Sequence, residues 1–269
     1  MFYPNNLLTL TTDFGTDSFY VAEMKAAVYR VAEHARIVDV THAVPPQEVT
    51  QASWLLLRTI EAFPAGTVHV CVVDPGVGTA RKIVAAVIAG QVVIGPDNGL
   101  FGVIAAKYLV EVVHLVENSQ LFGPRRSATF HGRDIMAPAA AHLVQGVPLK
   151  RLGPRWERPL IGVDEQHFAQ VSASEIRGRL VYADSFGNIA SNIFAADLPE
   201  DWDRGRIRVL ALGHEVQGIV DTYGHCPADL LVALFGSSGQ LELAVVQGNA
   251  AQKYRFQPGC AVVIVRDEA

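Results

Sequence analysis

The chain has 269 residues, of which half are hydrophobic and 18% charged, and its formal net charge is −5. That composition excludes a disordered chain and allows a sizeable core in one large domain or two modest ones. No basic run is present to neutralise phosphates, so nucleic-acid binding is not expected. No apolar run approaches the roughly 20 residues that cross a bilayer, so a membrane partner is not expected either. Cys71, Cys226 and Cys260 are far apart and form no CxxC, which reads as buried free thiols in a reducing compartment. The opening Met-Phe-Tyr-Pro-Asn-Asn lacks the basic and apolar stretches of a signal peptide, and a soluble cytoplasmic protein is expected.

In chain order, Leu7 to Thr12 reads as a buried strand and Phe19 to Glu33, with apolar residues at helical spacing, as a helix. Ile37 to Val40 is a second strand. Val49 to Phe63 is a second helix, ended by Pro64 and Gly66. Val68 to Val73 is a third strand, and Ile83 to Ile88 with Gln91 to Ile94 flank Ala89-Gly90 as a hairpin. A short helix over Phe101 to Ala106, a strand over Val110 to Leu115 and a helix over Met136 to Gln145 complete this part. The alternation predicts an α/β N-terminal domain, residues 1–160, with a largely parallel sheet covered by helices on both faces. Gly-Pro-Arg-Trp-Glu-Arg-Pro at 153–159 reads as a linker. Beyond it, short apolar runs at 177–183, 206–210, 216–220, 230–235, 241–246 and 261–265 predict a smaller, mostly β, barrel-like C-terminal domain over 170–269.

Polar groups leave these apolar runs at few places. Asp74 ends the third strand, a Pro-Gly-x-Gly turn follows, and Arg81 precedes the next run, so a carboxylate and a guanidinium flank one tight turn at a strand end. The pair reads equally as a structural ion pair or as part of a site. His131, in the Gly-containing loop Phe-His-Gly-Arg-Asp before a helix, tips the balance towards a site. Asp13, at the end of the first strand, is placed to accept hydrogen bonds from ligand hydroxyls, and capping of the next helix is assigned to Asp17 and Ser18. Of the other histidines only His42, after Val-Asp-Val-Thr, is kept in view. Asn98-Gly99 reads as a tight turn. In the second domain, Asp184 can bind an ammonium group, and the Asn188 amide can both donate to and accept from a heteroaromatic base. Gly236-Ser-Ser-Gly239 offers hydroxyls and backbone N–H groups to a carboxylate, and Gly248-Asn-Ala-Ala251 offers backbone groups to a base. The chain has no GxxxxGK[ST], GxGxxG, GxSxG or HExxH.

Taken in order, TTDFGTDSFYVAEMK, VDVTH, VVDPGVGTARK, GPDNGLF, FHGRDIMAP, DSFGN, GSSGQLELAV and GNAA resemble the S-adenosyl-L-methionine (SAM) hydrolases. These are also called SAM hydroxide adenosyltransferases and are homologous to the fluorinating and chlorinating SAM enzymes. The resemblance runs from about residue 8 to residue 265. It implies an α/β domain joined to a β-barrel-like domain, and a trimer holding each SAM between the first domain of one subunit and the second domain of its neighbour. It implies substitution at ribose C5′ by water or hydroxide, giving adenosine and methionine, with SAM as substrate and no cofactor or metal. By the same resemblance Asp74, Arg81 and His131 position and activate the water, and Asp13 binds the ribose hydroxyls. Asp184 and Ser237 hold the amino and carboxylate ends of the methionine, and Asn188 with the backbone around Ala250 contacts adenine. Ser238 stands where the fluorinating enzyme has Arg, so carboxylate binding would rest on hydroxyls and backbone N–H groups. The halogenases replace the acid and the imidazole, whereas this chain has Asp74 and His131, which favours water over halide.

Three other readings make different predictions. A SAM halogenase would give a 5′-halo-5′-deoxyadenosine. A non-catalytic SAM- or adenosine-binding module would bind without turnover. A metal hydrolase built on Asp13, Asp17, Asp74, His131 and Asp134 would carry stoichiometric metal.

Overall fold

Six runs rich in Val, Ile, Leu and Thr pair into one sheet, and eight more pair into a second, in a computed structural model that describes residues 2–122, 127–163 and 167–266. The chain divides into two units, Met1–Gly162 and Val163–Ala269.

In the first unit the strands are β1 (Leu7–Thr12), β2 (Arg36–Thr41), β3 (Val68–Val72), β4 (Ile83–Ile88), β5 (Gln91–Pro96) and β6 (Val110–Leu115). Their order is β2-β1-β3-β5-β4-β6. Pairing is parallel from β2 through β5, and β4 runs antiparallel to both its neighbours. The β4–β5 hairpin turns at Ala89 and Gly90, both at positive φ (51° and 70°), which matches the right-handed twist of paired strands.

Alternation along the strands sends Leu8, Leu10, Val68, Val70, Val92 and Ile94 to one face. There they pack against α1 (Tyr20–Tyr29) and α5 (Ala137–Val144). The other face meets α2 (Val49–Ala62), where Gln91 Nε2 donates to the Ile60 carbonyl at 2.8 Å. α2 in turn packs on α3 (Gly102–Lys107), with Val103 N donating to Ser53 Oγ at 3.2 Å, and α4 (Ser119–Phe122) is a single turn. β1 leads through α1 to β2, and β2 leads through α2 back past β1 to β3, with α1 and α2 on opposite faces. The carboxyl ends of β1 and β3 therefore flank the point where the winding reverses, and this is the usual ligand crevice of an open α/β sheet.

The 153–159 segment is not a free linker. Its first residues lie along β6, with Leu115 N donating to the Pro154 carbonyl at 2.9 Å and Trp156 N to the Val113 carbonyl at 2.8 Å.

The second unit contains β7 (Gln170–Val171), β8 (Glu175–Ala183), β9 (Ile189–Phe194), β10 (Ile207–Ala211), β11 (His214–Gln217), β12 (Leu231–Phe235), β13 (Gln240–Val245) and β14 (Ala261–Arg266). They form an antiparallel sheet in the order β11-β10-β14-β8-β9-β13-β12, with β7 beside β8. The nine-residue β8 pairs with β14 through its first half and with β9 through its second, so it turns the sheet on itself. Val220 N, just past β11, donates to the Ala233 carbonyl of β12 at 2.9 Å and nearly closes the barrel. Ile176, Leu180, Ile189, Ile193, Leu243 and Ile264 fill its interior. The helix α6 (Ala250–Tyr254) is capped by Asn249, whose Oδ1 accepts from Gln252 N at 2.8 Å. Of the cysteines, Cys71 is buried, and Cys226 and Cys260 are half-buried thiols rather than core residues.

Candidate active site

Asp74 directly follows β3, and the turn after it returns the chain so that Arg81 lies alongside. Val77 N donates to the Asp74 carbonyl at 3.1 Å, and Gly78 takes φ +82° where a Cβ would meet the Ala128 carbonyl at 2.9 Å. Arg81 Nε donates to Asp74 Oδ1 and Oδ2 at 3.0 and 2.9 Å, and Nη2 donates to Oδ2 at 2.5 Å. The same Nη2 donates to His131 Nδ1 at 2.6 Å. A guanidinium has only donors, so His131 Nδ1 is the acceptor and the neutral ring carries its proton on Nε2. The Asp74 side chain is 5% and that of Arg81 11% exposed, so the pair is largely out of water. Asn98 braces it from behind, its Nδ2 donating at 3.0 Å to the carbonyl of Val73. The Asn98-Gly99 turn is thus also a support for the strand end.

His131 does not lie in a loop. It opens the helical stretch that becomes α5, through a π-turn over Gly132–Met136 in which Ala137 N reaches back to the Gly132 carbonyl. Such widened turns often mark functional positions. A Cβ at Gly132 would come within 3.3–3.4 Å of Met24 Sδ and Val72, a tight contact, so the glycine eases the close approach of this turn to β3. Asp134 accepts from Ser127 N at 3.0 Å and from Arg133 Nε at 2.6 Å, and Arg133 also reaches Glu23 of α1 at 2.8 Å. Asp134 is therefore a brace.

Asp13 sits just past β1, and its Oδ2 accepts from Gln47 N at 2.9 Å. The predicted caps of α1 are absent: the helix begins after Phe19 with no side-chain cap, and Ser18 Oγ donates instead to the Phe14 carbonyl at 3.3 Å. Asp13, Asp74 and His131 line one cleft of about 260 Å³, together with Phe14, Gln47 and Phe130. The two Phe rings meet edge to face at 5.7 Å, giving the cleft an aromatic wall. Arg81 supports this cleft through its two partners. Among the described residues, no group of three or more His, Cys, Asp or Glu is arranged to hold a metal.

The second unit carries a pocket of about 810 Å³ lined by Asp184, Asn188 and Ser237, and also by Phe186, Tyr223 and Glu242. Asp184 builds its own turn: Oδ1 accepts from Phe186 N and Asn188 N, both at 2.9 Å, and Oδ2 from Asn188 Nδ2 at 3.0 Å. Gly187 (φ +85°) accepts at its carbonyl from Ala251 N at 3.0 Å, which ties this turn to the start of α6 and brings Asn188 and Ala250 into one neighbourhood. Ala250 is fully buried and does not line the pocket, and the Ser238 hydroxyl accepts from Gln240 N at 3.2 Å within the β12–β13 turn.

Tyr223 and Glu242 were not singled out from sequence. Tyr223 Oη donates to Glu242 Oε2 at 3.1 Å, and burial together with the Glu242 charge pushes the phenol up to about 12. Glu242 lies in an apolar strand run, and an isolated acid there was the only available signal. The charged lining of this pocket is acidic, from Asp184, Asp221 and Glu242, and suits a cationic group.

Residues 8–153 match the family model of the SAM hydroxide adenosyltransferase N-terminal domain, and residues 178–263 that of the C-terminal domain. The chain belongs to the SAM hydroxide adenosyltransferase family. It is 36% identical over 257 residues to the (R)-S-adenosyl-L-methionine hydrolase of Salinispora arenicola, covering 94% of this chain and 95% of that protein. It is 26% identical to the fluorinase of an Actinoplanes species, over 91% of this chain and 88% of that enzyme. Among solved structures, an uncharacterized conserved protein from Thermotoga maritima superposes with a TM-score of 0.90 at 35% identity, covering 96% of this chain and all of that one.

Proposed function

We propose that this protein hydrolyses SAM to adenosine and L-methionine by attack of water at ribose C5′, in the cytoplasm and without a cofactor. The observation that carries the proposal is the Arg81 guanidinium fixed at once on Asp74 and His131, beside Asp13, at the carboxyl ends of β1 and β3. Family membership supplies the substrate.

A new O–C5′ bond forms as the C5′–S bond breaks. Methionine leaves as a neutral thioether, so no acid is needed at the leaving group. The site must align a water and take its proton. Asp74 faces the cleft and is the acceptor for the attacking water, with its carboxylate orientation set by the two-point Arg81 contact. His131, with Nδ1 engaged by Arg81, holds its proton on Nε2 and acts as a donor that fixes the water or ribose oxygen rather than as the base. Arg81 offsets the negative charge that builds on the attacking oxygen in a nearly dry site. Orientation of the two reactants contributes on the order of 7 kcal/mol or more.

Asp13 binds the ribose diol. Asn188 and the backbone around Ala250 contact adenine. Asp184 and Ser237 hold the methionine amino and carboxylate ends, with Ser238 shaping the turn that presents Ser237. The acidic lining of the second pocket agrees with a substrate that carries sulfonium and ammonium charges. The proposal includes a homotrimer in which the first unit of one subunit and the second unit of its neighbour complete each site.

The test is to incubate purified protein with each sulfonium epimer of SAM, since the relative's name specifies the (R) form. Chloride or fluoride is added or omitted, and products are followed by chromatography with mass detection. Adenosine and methionine irrespective of halide support the proposal. A 5′-halogenated nucleoside, or binding without turnover, would overturn it.

A further inference from the structure

The Val-Asp-Val-Thr-His motif at the end of β2 has no place in the chemistry above, yet it lies directly under Asp13. Thr12 Oγ1 is 2.9 Å from His42 Nδ1, and His42 Nε2 is 3.2 Å from Asp39 Oδ1. Lys25 Nζ of α1 closes the series on Asp39 Oδ2 at 2.5 Å. The imidazole is thus held at both ends, hydrogen-bonded to Thr12 at Nδ1 and within ion-pair distance of Asp39 at Nε2. Thr12 Oγ1 also accepts from Phe14 N at 3.2 Å. Burial pushes the Asp39 carboxyl up, but Lys25, with a smaller effect of His42, outweighs it and holds the group below the usual range.

The backbone of His42 acts on the same loop. Its carbonyl accepts from Gly15 N at 2.8 Å, and Gly15 adopts φ +71°. His42 thus grips residues 12 and 15 from below, and Asp13 lies between the two grips. Thr12 and His42 are both buried, so neither reaches a ligand directly.

We infer that His42, oriented by Asp39, is a positioning residue that fixes the Asp13 carboxylate for the ribose 2′- and 3′-hydroxyls, and so sets the preference for a ribonucleoside. This rests on the reading of Asp13 as the ribose contact.

The experiment measures affinities of the full-length protein for adenosine, 2′,3′-dideoxyadenosine and L-methionine in wild type, Asp13→Ala, His42→Ala, His42→Asn and Asp39→Asn. Asp13→Ala should abolish the preference for adenosine over the dideoxy compound. His42→Ala should cut that preference by on the order of tenfold, the scale of one charge-linked hydrogen bond, and leave L-methionine affinity unchanged. His42→Asn, whose amide can still meet Thr12, and Asp39→Asn should fall between, and they carry the test if His42→Ala does not fold. A preference that survives Asp13→Ala overturns the ribose reading itself. A preference lost in Asp13→Ala but kept in the His42 and Asp39 variants overturns the positioning role alone. Equal loss for all three ligands would make His42 merely structural and also overturn it.

Discussion

Arg81 grips Asp74 through two nitrogens and still has Nη2 on His131 Nδ1, 2.6 Å away, so one side chain orders the acid and the imidazole together. The arrangement makes His131 Nδ1 an acceptor and places Asp74 at the cleft, where the proposed mechanism uses it as the proton acceptor. It also makes the three residues act as a unit, so their single variants are expected to be strongly non-additive.

Asp74→Asn keeps the shape and removes the charge. Its kcat for SAM should fall by on the order of a hundredfold or more, with KM little changed, because in the proposed mechanism the acceptor works on the reacting water and not on binding. Steady-state rates of adenosine release check this.

Arg81→Ala leaves the Asp74 carboxylate, 5% exposed, without its main partner. Breaking such a buried pair by removing one side costs about 3 kcal/mol or more, so urea unfolding should show a clear loss of stability alongside the loss of turnover. Arg81→Lys should recover part of the stability but not the rate, since an ammonium cannot span both carboxylate oxygens and the imidazole.

A buried imidazole away from the site should control stability at low pH. His69 Nδ1 accepts from Thr9 Oγ1, and its Nε2 donates to Gln91 Oε1, both at 2.7 Å, between the sheet and α2. Burial lowers its pKa to about 4 from an ordinary 6.5, against a smaller opposite effect of Gln91. The unfolded chain therefore binds a proton that the folded chain refuses. Stability should be constant above the ordinary pKa, fall as pH drops from about 6.5 to about 4, and level off below, by about 3 kcal/mol in all. Denaturant curves at pH 7, 5 and 4 should show this slope, and His69→Gln should remove it.

The proposed adenine contacts lie beside one glycine. A Cβ on Gly187 would fall 2.0 Å from Asn249 Cγ, and the residue sits at φ +85°. Gly187→Ala should displace the Asn249 cap and the start of α6, destabilise by more than about 1 kcal/mol, and weaken adenosine binding more than L-methionine binding. Calorimetric titration with the two products separates these effects.

Much of the architecture was legible because alternation and helical spacing are local signals. The β4–β5 hairpin and the strand–turn placement of Asp74 and Arg81 follow from Ala89-Gly90 and Pro-Gly-x-Gly alone. β9 was missed because Ser191 and Asn192 interrupt its apolar pattern. In the folded chain Asn192 Oδ1 accepts from Arg179 N of β8 at 2.7 Å, a use that only the neighbouring strand makes visible. The α1 caps were misassigned because Asp17 and Ser18 have the right chemistry for capping, but Ser18 turns back to the Phe14 carbonyl. His131 was placed in a loop because Gly132 usually breaks a helix, whereas here it lets a π-turn pack on β3. The grips of Asn98 on Val73 and of His42 on the Asp13 loop join residues about 25 to 30 apart in sequence, and no local pattern announces them.

If sites form between subunits as proposed, mixed oligomers of two inactive variants should regain activity. Co-expressing Asp74→Asn chains with Asn188→Ala chains should produce some sites with both halves intact, whereas a site made within one chain would give no recovery.

The most direct test of the central claim is turnover of SAM in ¹⁸O-labelled water, with mass detection of the nucleoside. Hydrolysis at C5′ predicts adenosine carrying one ¹⁸O at its 5′ oxygen and unlabelled methionine. Unlabelled adenosine, a halogenated nucleoside or a product of cleavage at another sulfonium bond would contradict it.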